Sequence, residues 1–271
     1  MSIGLAADAS GAPVRIVTVG TGTCVPRLDR RGPCTLLEAG GYRVAVDLGL
    51  GALHGLLAAG VRHHNLDAVV FTHLHPDHTA ELVALLFAAG YDEAPRTRPL
   101  TLVGGVGFER FVEALRGAYG DWLDPRGYPL EPRECAPGDQ LSLGPWALRT
   151  GPARHHPSSL ALRWELAGRS FVITGDTGPD RGLARFARGA DLLVAEASLP
   201  EGAAFDRHLT ARQAGDLARE ARAGALVLHH LYPSADRADP GRHAAESFPG
   251  PVIVARDGMM VWEGDGIPGA G

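Results

Sequence analysis

A four-layer α/β fold, αββα with two sheets face to face and helices outside, is the fold class this sequence predicts. Three features lead to it. Short apolar runs of strand character alternate with helical patterns through both halves of the chain. Polar residues of ligand type recur directly after those runs, so several strands end in chemistry. No stretch has the composition of a linker and no short tandem repeat is present, so one domain over residues 13–271 is expected after a loose, small-residue tail over residues 1–12.

Taken in order, Val14 to Val19 reads as a strand stopping at Gly20-Thr21-Gly22-Thr23. That turn lacks the Gly-Lys-Ser/Thr ending of a nucleotide-binding P-loop. Cys34 to Ala39 and Tyr42 to Asp47 flank Gly40-Gly41, a two-residue hairpin turn. Asp47 begins a stretch that runs into a helix reaching about Ala59; it is a candidate ligand, but a buried carboxylate bracing a neighbouring ligand loop is the expected role. Ala68 to Phe71 is a short buried strand. Pro76 then suits a first helical turn, where its missing N–H costs nothing, and Leu82, Leu85, Leu86 and Ala89 continue one apolar face. Leu100 to Val103 and Gly107 to Tyr119 read as strand and helix. Residues 120–140, rich in Pro and Gly, give no clear pattern. Trp122, Tyr128 and Trp146 are candidates for a substrate cleft or for the core. Strands follow at 146–150, 160–166 and 169–174, a short helix at 180–188, and a strand at 191–195 ending on Glu196. Thr210 is a suitable N-cap for a helix to Ala223. Leu226 to Leu228 is a strand ending at His229-His230, 240–248 is helical, and 252–255 and 259–263 complete the sheets.

Composition excludes several function classes. A formal net charge of −5 leaves no global basic field, so nucleic acid would need a local patch. All 26 basic residues are Arg, a bias that fits a GC-rich genome and needs no functional cause. The three cysteines, Cys24, Cys34 and Cys135, are odd in number and lack metal-like spacing, which points to a reducing cytoplasm rather than a disulfide framework. The N-terminal residues do not form a secretory signal, and no apolar run is long enough to span a bilayer.

The chemistry centres on Phe71 to Leu82, FTHLHPDHTAEL, where His73, His75, Asp77 and His78 fall within six consecutive positions. Imidazole and carboxylate donors of this kind suit zinc and similar ions. A solvated His-rich turn is the alternative, and three His and an Asp packed between strand and helix argue against it. Further candidates follow other strands: His155 or His156, Asp176 between glycines, Glu196, and His229 or His230. His208 precedes the Thr210 cap and would pass for a surface residue on its own. His54, His63 and His64 show no partner pattern, and exposed or capping roles are expected for them.

The chain resembles the metallo-β-lactamase superfamily and, within it, the ribonuclease Z-like branch. The residues that carry the resemblance are Thr72-His73-Leu74-His75-Pro76-Asp77-His78, His155 placed eight positions before Arg163, Gly175-Asp176-Thr177, Glu196-Ala197-Ser198, His208-Leu209-Thr210 and Leu228-His229-His230. The first motif marks the superfamily. Asp176 in place of Cys, with His208-x-Thr, favours the phosphodiesterase-like branch. The resemblance selects His155 over His156 and His230 over His229. It implies His73, His75 and His155 around one divalent ion, Asp77, His78 and His230 around a second, and Asp176 bridging them. Zinc is the first expectation and manganese the alternative. Two ions about 3.5–4 Å apart share a water oxygen and bring its pKa toward about 7, supplying hydroxide. His208 is implied as general acid or oxyanion stabiliser, Glu196 as the carboxylate holding its ring, and Asp77 as a metal ligand that also orients the nucleophile.

One departure limits the substrate. Family members that process tRNA carry a long arm between the counterparts of His155 and Asp176, and here Pro157 to Gly175 is consumed by two strands and a turn. The expected function is therefore a dinuclear metal-dependent phosphodiesterase of compact phosphodiesters or cyclic phosphates. A large nucleic acid and a membrane are not expected as partners, and the resemblance is compatible with a homodimer. A lactone or thioester hydrolase using the same site is the first alternative, and a non-catalytic, metal-stabilised binding protein the second.

Overall fold

A computed structural model describes residues 13–203 and 205–268. The expected tail at 1–12 lies outside the described residues. The first half runs β1 (Arg15–Gly20), β2 (Cys34–Ala39), β3 (Tyr42–Val46), α1 (Ala52–Ala58), β4 (Ala68–Val70), α2 (Pro76–Thr79), α3 (Leu82–Tyr91), β5 (Leu100–Gly104), α4 (Phe108–Tyr119) and β6 (Leu130–Glu134). The second runs β7 (Gln140–Leu143), β8 (Trp146–Pro152), β9 (Leu160–Leu166), β10 (Arg169–Ile173), α5 (Arg181–Phe186), β11 (Leu192–Glu196), α6 (Ala211–Ala221), β12 (Leu226–His229), α7 (Pro233–Asp236), α8 (Pro240–Ala245), β13 (Val252–Val254) and β14 (Met259–Glu263). The strands form two sheets, ordered β14-β1-β2-β3-β4-β5-β6 and β13-β12-β11-β10-β9-β8-β7. The last strand thus returns to pair with the first, Arg15 opposite Glu263. Among the described residues no helix is long and apolar enough to cross a membrane.

The two-residue period of the strands builds the layers. Leu37 and Val70 face the other sheet, where they join Trp146, Trp164, Phe171 and Val194 in the central core. Their neighbours Leu36 and Val69 face outward and are covered by Leu56, Leu85 and Phe108 of the helices. In the second sheet Val172, Leu193 and Leu228 likewise meet Leu183, Leu217 and Phe248. Strands buried on both faces read as continuous apolar runs, which is how they appear in the sequence. Gly40 and Gly41 both adopt positive φ, 55° and 77°, as a tight hairpin between β2 and β3 demands.

Three sequence expectations are refined. The helix expected to run on from Pro76 is broken between α2 and α3, because Glu81 turns back to accept from the N–H groups of Gly51 and Leu53, each at 2.6 Å, at the start of α1. The unreadable stretch 120–140 supplies β6, parallel to β5, and the start of β7. Of the aromatic cleft candidates, Trp146 and Tyr128 are core residues, whereas Trp122 is exposed and packs on Tyr91 and Phe87.

The loop between β1 and β2 is fixed from the far end of the sequence. Asp257 accepts from Thr21 N at 3.0 Å and Arg31 N at 2.6 Å. Arg30 is fully buried; its guanidinium donates to Asp236 at 2.9 and 2.8 Å, to Thr21 Oγ1 at 2.7 Å and to the Ala255 carbonyl at 2.7 Å. Arg30→Ala leaves the Ala255 carbonyl without this donor and Asp236 with Arg27 alone, at 3.0 Å, and is expected to cost about 3 kcal/mol in urea denaturation. A loss below about 1 kcal/mol, the scale of an exposed pair, would contradict this account.

Candidate metal centre

Strand direction brings the polar residues together. β3, β4 and β5 are parallel, as are β10, β11 and β12, so their C-terminal ends share an edge in each sheet. Asp47 follows β3, His73 follows β4, Asp176 follows β10, and Glu196 and His230 stand at the ends of β11 and β12. β9 is antiparallel to β10, so His155, which precedes it, arrives at the same edge.

Two triads meet there. The ligand-type atoms of His73, His75 and His155 lie within 4.8 Å of one another, as do those of Asp77, His78 and His230. His75 Nδ1 is 3.0 Å from His155 Nε2. His230 Nε2 is 3.3 Å from His78 Nε2 and 3.5 Å from Asp77 Oδ2. Asp176 stands between the triads: its Oδ2 is 3.7 Å from His155 Nε2, and its Oδ1 is 3.4 Å from His78 Nε2.

The imidazoles are oriented from behind. Nδ1 of His78 donates to Asp47 Oδ2 at 2.8 Å, that of His73 to Thr72 Oγ1 at 3.1 Å, that of His155 to the Arg207 carbonyl at 3.0 Å, and that of His230 to Ser198 Oγ at 2.9 Å. With Nδ1 so engaged, Nε2 of each ring faces the cluster, the arrangement usual for metal-ligating histidine. Asp47 also accepts from Thr72 N and Thr72 Oγ1, both at 2.8 Å, which fixes its carboxylate beneath the His73–His78 loop as expected. The rejected neighbours point elsewhere. His156 Nδ1 bonds Ser158 Oγ at 2.7 Å, and His229 Nε2 donates to the Gly20 carbonyl at 2.8 Å. Burial, with His230 beside it, pushes the His229 pKa down to about 3.

The electrostatics fit cations. Burial, then His78, holds His73 well below the ordinary imidazole pKa, and burial also lowers His75 and His155, so these rings stay neutral. Burial alone would raise the Asp176 carboxyl, but His230 and His78 outweigh it and hold it well below the carboxylate range. His73 Nε2 and Asp176 Oδ1 are buried with no hydrogen-bond partner. Such orphaned atoms are costly unless a bound ion satisfies them.

Beside the triads, His208 Nδ1 donates to Glu196 Oε1 at 2.8 Å and lies 3.8 Å from Asp176 Oδ2. Glu196 is itself held by the N–H groups of Thr177, at 2.7 Å, and Ser198, at 3.3 Å. Burial opposes charge on His208, yet the hydrogen bond to Glu196 prevails and raises its pKa. Two open recesses flank the cluster: about 400 Å³ lined by Cys24, Arg27, Arg31, Leu50 and Asp77, and about 370 Å³ lined by Arg154, His155, Asp206 and Arg207.

This fold and edge-on cluster belong to a known class of metal-dependent hydrolases. The family model of the metallo-β-lactamase superfamily matches residues 28–230, and the chain is a member of that superfamily. Within it the similarity is to ribonuclease Z. The ribonuclease Z of Mycobacterium bovis is 33% identical over 275 aligned residues, covering 90% of this chain and 96% of the relative. That of Mycobacterium tuberculosis is 32% identical with the same coverage, 90% and 96%. Among solved structures, the metallo-β-lactamase fold protein YhfI of Bacillus subtilis superimposes with a TM-score of 0.81 at 25% identity, covering 93% of this chain and 100% of that one. The short form of human tRNase Z gives a TM-score of 0.72 at 20% identity, covering 92% and 98%, a likeness of fold. Membership of this branch makes the chain a metal-dependent hydrolase that takes divalent metal ions.

Sequence reasoning found the ligand-type residues but missed most of what orients them. Ser198 and Thr72 each lay inside a recognised motif. The Arg207 carbonyl left no signal, since any residue supplies a carbonyl. Asp47→Ala removes the acceptor for His78 Nδ1 and is expected to weaken metal affinity about 10–100-fold in competition with a chromophoric chelator. Unchanged affinity would show that Asp47 only supports the backbone.

Proposed function

We propose that the protein is a dinuclear phosphodiesterase in which His73, His75 and His155 hold one divalent ion, Asp77, His78 and His230 hold the other, and Asp176 bridges them. Zinc suits a set so rich in imidazole, with manganese as the alternative. When bound, two such ions supply Lewis acidity toward a phosphate oxygen and bring the pKa of a shared water toward about 7.

The observation that carries phosphodiester chemistry is the His208–Glu196 pair at the rim of the cluster. A departing alkoxide needs a proton. Glu196 fixes the tautomer at Nδ1 and favours the charged ring, so His208 Nε2 is the atom that carries the proton to the leaving oxygen. Asp77, beside His230 at the open side, orients the attacking group. Arg31 on one flank and Arg154 and Arg207 on the other offer planar donors to phosphate oxygens.

The substrate is a compact phosphodiester or a cyclic phosphate. β9 and β10 are joined by Ala167 and Gly168 alone, so the interval where tRNA-processing members carry their arm provides no extended contact surface here. tRNA 3′-end cleavage is the second reading, favoured by the 33% identity to relatives named ribonuclease Z over almost their full length. The three unpaired cysteines support a reducing compartment such as the cytoplasm.

Turnover of bis(p-nitrophenyl) phosphate, cyclic nucleotides and a tRNA precursor with zinc or manganese tests these readings together. Metal-dependent turnover of the small esters with weak tRNA cleavage is the expected pattern. Efficient tRNA cleavage would replace the compact-substrate reading, and lactone or thioester turnover alone would replace phosphodiester chemistry. His208→Ala is expected to lower kcat about 10²–10⁴-fold with metal content unchanged. If kcat survives that substitution, His208 is not the proton donor.

A further inference from the structure

A second group of ligand-type side chains meets at the opposite end of β4. His63–Asn65 forms a single 3-10 turn ahead of that strand, and Asp92 follows the last residue of α3. His63 Nε2 lies 3.2 Å from Asp92 Oδ2, and His64 Nε2 lies 3.4 Å from the same oxygen. His64 Nε2 also donates to the Ala94 carbonyl, a hydrogen bond that a bound ion would displace. His63 Nε2 is buried yet makes no hydrogen bond. Its separation from Asp92 would allow one, so the misfit is angular. Two donors each about 2.0–2.1 Å from a tetrahedral zinc ion stand about 3.4 Å apart. The separations here match that edge.

The frame around these atoms is rigid. Arg96 is buried, and its Nη1 donates to the carbonyls of His63 and His64, each at 3.1 Å. Its Nη2 donates to the Leu66 carbonyl at 2.6 Å, which ties the turn to the start of β4. Asp92 Oδ1 accepts from Ala94 N at 3.3 Å, which leaves Oδ2 to the imidazoles. Burial, then the neighbouring His64, lowers the His63 pKa and keeps its ring neutral with an open lone pair. Arg62 Nη2, 3.6 Å from Asp92 Oδ2, is the competing cation, and its side chain is 63% exposed and free to turn into solvent.

We propose that His63, His64 and Asp92 form a separate site for one divalent transition-metal ion of the zinc class. An ion there clamps the turn entering β4 to the end of α3, at the strand end opposite His73. Neither hydrolysis nor the strand-end cluster depends on it.

The test is the zinc content of the full-length protein after equilibrium dialysis against zinc, compared with His63→Ala/His64→Ala and with Asp92→Asn. The expected result is a loss of one equivalent in both variants, with hydrolytic turnover unchanged. His78→Ala, which acts on the strand-end cluster, should leave the anomalous zinc peak at His63 and Asp92 in crystals, so failure at one site is read separately from failure at the other. Equal zinc content in wild type and Asp92→Asn, or no anomalous peak between His63 and Asp92, overturns the proposal. Should the double variant fail to fold, Asp92→Asn decides alone.

Discussion

Asp176 sets the terms for this molecule. It is a buried carboxylate with imidazoles on both sides, and one of its oxygens has no hydrogen-bond partner. An ionised group in that position costs several kcal/mol unless positive charge faces it. His78, caught between Asp47 and Asp176, has its pKa raised well above the ordinary value despite burial, so part of that charge is a proton. Divalent ions would provide the rest and release the proton. The fold accepts a polar, strained edge here because the two-sheet core beneath it is apolar throughout. The strain is local: His230 and Asp47 are both held at positive φ, 55° and 62°, at the points where their strands turn toward the cluster.

How much of this was legible in the sequence follows from the range of each interaction. His73, His75, Asp77 and His78 sit on one strand-to-helix turn, so local geometry alone converges them. Asp176 and Glu196 were legible because each ends an apolar run. The choice of His155 over His156 was not legible from the residues, because it depends on Ser158 and on Arg207, which comes from another loop. His229 and His230 are adjacent, and only the acceptors at Gly20 and Ser198 decide which one turns inward. The grouping of His63 and His64 with Asp92 escaped for the same reason. It is made by Arg96, which draws one turn against another across a stretch that reads as a Pro/Arg loop. Residues 120–140 hid β6 because the strand is half-exposed and carries Pro132 among the charged Glu131, Arg133 and Glu134.

Shared superfamily chemistry explains why the strand-end motif says so little about substrate. Divalent ions held by the two triads would polarise any ester oxygen, so selectivity would come from what surrounds them. Here the surroundings are recesses on either side with Arg at the walls and a short β9–β10 turn. Relatives named ribonuclease Z match this chain over almost their whole length.

The His208–Glu196 pair separates two chemistries that the metal cluster alone would not. A carbonyl ester with an acidic leaving group needs the oxyanion held and little else. A phosphodiester expels an alkoxide, for which a placed proton lowers the barrier. An imidazole whose charged form is favoured by a carboxylate is a costly feature in a half-buried position, since burial opposes its charge. Glu196 takes hydrogen bonds from Thr177 N and Ser198 N, with Thr177 next in sequence to Asp176 and Ser198 bonded to His230. His208 is thus held by the same backbone that sets Asp176 and His230. Its position relative to the cluster is fixed by the ends of β10, β11 and β12, so the His208–Glu196 pair and the ligand-type residues are products of one strand edge.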